Sequence, residues 1–191
     1  MIATLFASSA ELNARQNLIR TGVLALLGSA LLAVSAKVQV PFWPVPMTMQ
    51  ALVVLLIGAH GGVRVAGATV LAYLLEGAAG LPVFSTGAGL AYMAGPTGGY
   101  LLGFLVAALV SAFAFEKGFG KSLFGVAAIF IVADALILGL GFAWLSTLIG
   151  AEKALAVGVM PFLPAEALKV ALATASMPLA RAFLQRSVKA D

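Results

Sequence analysis

Long apolar runs almost free of ionisable side chains constrain this chain more than any other feature. The clearest, from Ser122 to Ile149, holds a single ionisable group, Asp134, near its middle. In a soluble domain such a run would leave its outer face without polar groups for water to solvate. About 20 apolar residues in a row is instead the length at which a helix crosses the ~30 Å hydrocarbon core of a bilayer. Composition closes the argument. Of 191 residues, 62% are hydrophobic and 9% charged, with a mean hydropathy of +1.11, whereas about a quarter of a soluble domain is charged. The sequence predicts an all-α membrane protein with six transmembrane helices in one domain over 16–186. A cytoplasmic or interfacial segment is expected over 1–15 and a cytoplasmic tail over 187–191.

The predicted spans run over about Asn17–Ala36, Thr48–Ala59, Val63–Ala78, Pro96–Phe115, Ser122–Ile149 and Met160–Leu184. Between the first two, Pro41-Phe42-Trp43-Pro44-Val45-Pro46 removes backbone donors and forbids regular helix, with Trp43 expected at the membrane interface. Between the third and fourth, Gly80 to Gly95 is glycine-rich and nearly uncharged. Irregular backbone this apolar is tolerated near membrane depth only where protein covers it or where it lines a cavity. The start of the chain, with Ala7-Ser8-Ser9-Ala10, lacks the basic region and continuous apolar core of a cleaved leader, and an amphipathic or frayed segment is expected there.

With the N-terminus inside and six alternating helices, eight basic residues lie in the cytoplasm: Arg15, Arg20, Arg64, Lys117, Lys121, Arg181, Arg186 and Lys189. Only Lys37 and Lys153 lie outside, and Lys169 falls within the last helix, so the bias that sets topology places both termini inside. The net charge of +4 and pI near 9.7 then fit lipid headgroups rather than nucleic acid. There is no cysteine and one histidine, His60, so no disulfide, thiolate or histidine-cluster metal site is expected.

Ionisable groups inside apolar spans are functional candidates. Glu166 and Lys169 stand at i, i+3 and share a helix face, one to two turns below the outer surface. A carboxylate beside an ammonium suits a polar head group offering both donors and acceptors, and an ion pair that only satisfies itself is the plainer reading. Asp134 has no sequence-local partner; it faces the pocket, or it bonds a neighbouring helix while protonated. Glu76 reads as a solvated interface residue. Gly95-Pro96-Thr97-Gly98-Gly99-Tyr100 opens a helix and would present backbone N–H groups to an acceptor, which makes Thr97 and Gly98 candidate ligand contacts. No Lys follows those glycines, and Gly118-Phe119-Gly120-Lys121-Ser122 lacks the earlier glycine, so no nucleotide loop is present. Ala25, Ser29 and Ala33 form a small-residue stripe that serves either internal packing or the docking of a second membrane subunit. No nucleophile–base arrangement is visible, and an enzyme is not expected.

The outward loops resemble those of the BioY family, the biotin-binding S components of energy-coupling factor transporters. The resemblance rests on four motifs in order: Pro44-Val45-Pro46-Met47-Thr48-Met49-Gln50, Gly77-Ala78-Ala79-Gly80-Leu81-Pro82-Val83-Phe84, Gly95-Pro96-Thr97-Gly98-Gly99-Tyr100, and Pro164-Ala165-Glu166-Ala167-Leu168-Lys169. It implies a six-helix S-component fold in a bacterial cytoplasmic membrane, with biotin as cargo and no cofactor. Two loops would cover the vitamin while Glu166 and Lys169 contact it. On this reading Glu166 accepts from the ureido N–H groups, and Lys169 donates to the carbonyl or stabilises Glu166. Trp43, Phe84 and Tyr100 pack the apolar parts. The family also implies a coupling membrane subunit, met through a small-xxx-small face that Ser29 and Ala33 fit best, and two ATP-hydrolysing subunits. Asp134 matches none of these motifs. Action alone or as a homo-oligomer stays open, as do an S component for riboflavin or thiamine and a membrane subunit without transport.

Overall fold

The computed structural model describes residues 13–188, with side chains described as far as 178. The expectations for 1–12 and 189–191, Lys189 included, and for the side chains of Arg181 and Arg186, lie outside the described residues. Among the described residues seven helices follow in order: α1 (Ala14–Lys37), α2 (Gln50–Ala78), α3 (Gly89–Met93), α4 (Gly98–Glu116), α5 (Leu123–Ile149), α6 (Ala151–Gly158) and α7 (Leu163–Val188). Two short strands, β1 (Gln39–Val40) and β2 (Met47–Thr48), pair antiparallel around the proline-rich segment. A 3-10 turn over Phe119–Lys121 joins α4 to α5.

Local chemistry sets these boundaries. Asn13 caps α1 through a reciprocal bond with Gln16, its side chain accepting from the Gln16 N–H at 2.8 Å, which satisfies an orphan donor of the first turn. The helix thus starts inside the 1–15 segment predicted to precede it. Ser122 caps α5 by accepting from the Gly125 N–H at 3.0 Å. At the other end, Gly150 breaks the helix with φ 86°. Pro164 sits in the first turn of α7, where its missing N–H has no helical partner to lose.

The largest departure from the predicted layout lies in α2. The expected second and third spans form one helical element interrupted at Gly62, whose φ of 67° and ψ of 166° are not helical. The chain reverses there: the Gln50 side-chain amide donates to the Tyr73 hydroxyl at 2.6 Å, whereas a straight helix would hold these positions about 35 Å apart. The Glu116 carboxylate accepts the Val63 N–H at 2.8 Å and so supplies an acidic cap to the second half. A side chain at position 62 meets a backbone conformation open essentially to glycine alone. Gly62→Ala is therefore expected to lower stability by about 1–2 kcal/mol, measured as a fall in the detergent-solubilised melting temperature.

Among the described residues, four helices are long and apolar enough to cross a membrane (α1, α2, α4 and α5), and a fifth span exists if α6 and the first part of α7, bent by 51°, count as one. The six separate spans predicted are thus not matched one for one, because α2 carries two of them and α7 counts as a span only together with α6. The architecture is that of a multi-pass membrane protein whose outward faces are apolar, with Leu26, Leu27, Leu31, Phe124, Ile131 and Leu172 exposed. α4 lies between α2 and α5, α1 packs on α2, and α7 leans on α5 and α2. Close approach of α4 and α5 depends on small residues, as expected where no hydrophobic effect drives helices together. A Cβ on Gly103 would stand 2.8 Å from the Ile137 Cα, and one on Gly141 would strike the Tyr100 ring.

Candidate ligand site

At the end of the bundle opposite Gly62, both halves of α2, the strand pair, the glycine-rich loop, α3, α4, α5 and α7 surround a small pocket. Each wall has a local cause. The proline-rich segment cannot be helical, so it turns back through the β1–β2 pair and sets Val45, Pro46 and Thr48 over the cavity. The glycine-rich loop is held down from both sides. Lys37, at the end of α1, donates to the Phe84 carbonyl at 2.6 Å, and the Tyr73 hydroxyl donates to the Val83 carbonyl at 3.2 Å.

Aromatic rings line the space. Phe84 is fully buried and stacks on Tyr92 at 5.1 Å, with Tyr73 meeting it edge-on at 5.4 Å. Its ring lies against Gly77, where a Cβ would overlap it. Across the cavity Tyr100 stacks on Phe162 at 6.2 Å and donates to the Gly158 carbonyl at 2.6 Å. Such rings give large apolar contact in fixed orientations.

The polar groups are few and concentrated. The Lys169 ammonium donates to Glu166 Oε1 at 2.7 Å, and both residues line the cavity while only 5% and 6% exposed. Facing them, Gln50 is buried and donates to Tyr73, while its own side-chain oxygen accepts from Thr48 Oγ1 at 3.2 Å. Glu166 Oε2 has no hydrogen-bond partner. A ring with both N–H donors and a carbonyl would meet an acceptor at Glu166, a donor at Lys169 and apolar faces around them.

Of the predicted ligand contacts, Glu166, Lys169, Phe84, Thr97 and Tyr100 line this cavity. Trp43 does not: it is 85% exposed and points away, while its neighbour Phe42 packs on Phe162 at 6.4 Å. Gly98 is also absent from the lining, and its N–H donates to the Gly95 carbonyl at 3.1 Å, so the reading of that N–H as a free ligand donor is corrected. Asp134 is buried within reach of both Glu166 and Lys169 but lies behind the lining. Glu76, read as solvated, accepts from the Ser29 hydroxyl at 2.9 Å. Ala25 and Ser29 are buried in the structure, and Ala33 is half-buried against the core.

Sequence reasoning missed Gln50, Tyr73, Ser85, Tyr92 and Phe162 as site residues. A lone amide at the head of an apolar run and a hydroxyl-bearing ring within one were the available signals, since each needs a buried partner.

The model of the BioY family matches residues 7–186. The chain is 34% identical over 146 residues to the probable biotin transporter BioY of Pyrococcus horikoshii, covering 75% of this chain and 85% of that one. It is 34% identical over 160 residues to the biotin transporter BioY of Thermotoga maritima, covering 83% and 91%. A crystal structure of the S-component for biotin from an ECF-type ABC transporter shares the fold, with a TM-score of 0.74 at 22% identity over 93% of this chain and 95% of that one.

Proposed function

The chain belongs to the BioY family, and from that premise we propose that it captures biotin in the aromatic cavity as the substrate-binding subunit of an energy-coupling factor importer. The observation that carries this reading is the buried Glu166–Lys169 pair opening onto a ring-lined cavity. The ureido group of biotin has two N–H donors and one carbonyl beside an apolar thioether ring and chain, which the pair and the rings complement. Glu166 accepts from the ureido N–H groups, Lys169 donates to the carbonyl, and Phe84, Tyr92 and Tyr100 enclose the apolar parts. Buried polar groups of this kind discriminate by leaving a wrong ligand's hydrogen bonds unmade.

The membrane arrangement belongs to the same proposal. Counting the two halves of α2 as short crossings, and the α6–α7 pair as one, gives six spans with both termini cytoplasmic. Arg64, Lys117 and Lys121 then face inward with the Gly62 end, and Lys37 and Lys153 face outward with the cavity, in keeping with the positive-inside bias. Biotin reaches the site from outside the cytoplasmic membrane. Transport needs a coupling membrane subunit and ATP-hydrolysing subunits, since this chain has no nucleotide loop.

The test is equilibrium binding of labelled biotin to the purified protein in detergent, with unlabelled biotin, riboflavin and thiamine as competitors. Only biotin is expected to displace the label. Displacement by riboflavin or thiamine at equal concentration, or no binding at all, overturns the assignment. In the same assay Trp43→Ala is expected to change affinity by no more than about twofold, as for an exposed side chain outside the site.

A further inference from the structure

The biotin reading leaves Asp134 unused, and its surroundings are unusual. It is 7% exposed near the middle of α5, one helical turn from the cavity-lining Ile137, and its Oδ1 has no hydrogen-bond partner. Its ionisable neighbours are Glu166 and Lys169 of α7. Glu166 presents two oxygens, of which Oε1 receives the Lys169 ammonium and Oε2, also buried, receives nothing. Two buried carboxyls, each with an orphaned oxygen, are therefore neighbours, with one cation bonded to Glu166. As two carboxylates they would carry an uncompensated negative charge out of water, and neither could donate to the other. A single proton removes both faults at once, neutralising the trio and turning the carboxyl contact into a hydrogen bond.

We propose that Asp134 is a positioning residue of the binding site, sharing one proton with Glu166 so that Glu166 is clamped between Lys169 and Asp134 with its remaining lone pairs turned to the ligand. The trio is then neutral, matched to a neutral head group. Among the described residues, the titratable groups of other elements packed against α5 are engaged elsewhere: Tyr100 of α4 donates to the Gly158 carbonyl and Tyr73 of α2 to the Val83 carbonyl. Glu116 accepts from Val63 N–H at the far end. Glu152 and Lys153 of α6 and Lys121 of the 3-10 turn are exposed.

The proton is testable without any ligand. Infrared spectra of the purified protein at neutral pH are expected to show the C=O stretch of a protonated carboxyl, and Asp134→Asn is expected to remove it. A band unchanged by Asp134→Asn, or absent from the parent, overturns the proposal. The positioning role rests on the biotin reading and has its own arm. Asp134→Asn, which keeps a donor to Glu166 Oε2, is expected to hold biotin affinity within about threefold. Asp134→Leu, which has no donor, is expected to lose at least about tenfold. Wild-type affinity in Asp134→Leu, or loss in a folded Asp134→Asn protein, contradicts the role. A parent protein that shows the band yet binds no biotin upholds the shared proton and refutes the biotin reading instead.

Discussion

Lys169→Met is expected to weaken biotin binding by at least about a hundredfold, because it strips a buried carboxylate of its paired cation and removes a ligand donor in one step. Breaking a buried ion pair by deleting one partner costs about 3–5 kcal/mol, and each 1.4 kcal/mol is about tenfold in affinity. Methionine keeps most of the volume, so the effect reports charge and hydrogen bonding rather than a cavity. The exchange is contained, since Lys169 bonds Glu166 at 2.7 Å within the same helix. Glu166→Gln acts in the same direction with a smaller loss, since the amide oxygen still accepts while its NH₂ meets the Lys169 ammonium. Equilibrium titration with labelled biotin reads both, with size-exclusion behaviour as the check on folding.

Gly77→Ala is the second large effect, and it acts without touching a polar group. The Phe84 ring occupies the space where the new Cβ would stand, and a flat ring stacked on Tyr92 and braced by Tyr73 has little room to slide. Overpacking of this kind costs about 1–3 kcal/mol. Here the displaced ring moves toward the cavity it lines, so biotin affinity is expected to fall roughly ten- to a hundredfold. The melting temperature in the absence of ligand should fall as well. Unchanged affinity in Gly77→Ala would mean that Phe84 is not a wall of the occupied site.

How far the sequence carried these features depended on what kind of signal each left. The α5 span was legible nearly to the residue because Ser122 and Gly150 mark its ends chemically, through a cap and a positive φ. Glu166 and Lys169 stood out because an ionisable group in an apolar run has so few tolerable surroundings. The reversal at Gly62 was visible as a gap between two predicted spans. That the halves form a hairpin closed by Gln50 and Tyr73 was not, because the contact joins residues far apart in the chain. Helix faces were the least legible. A span apolar all round gives no amphipathic direction, so the side of α1 that covers Ser29 and the side that meets lipid read alike. Trp43 failed for a related reason: in a non-helical stretch with three prolines, nothing in the spacing says that Phe42 turns toward Phe162 while Trp43 turns away.

Seeing where biotin sits decides the matter most directly. A structure of the protein crystallised or imaged with biotin should place the ureido ring about 3 Å from both the Glu166 carboxylate and the Lys169 ammonium, with Tyr100 and Phe84 flanking the fused rings. Density for the vitamin elsewhere, with that pair still closed on itself and the cavity empty, would contradict the account.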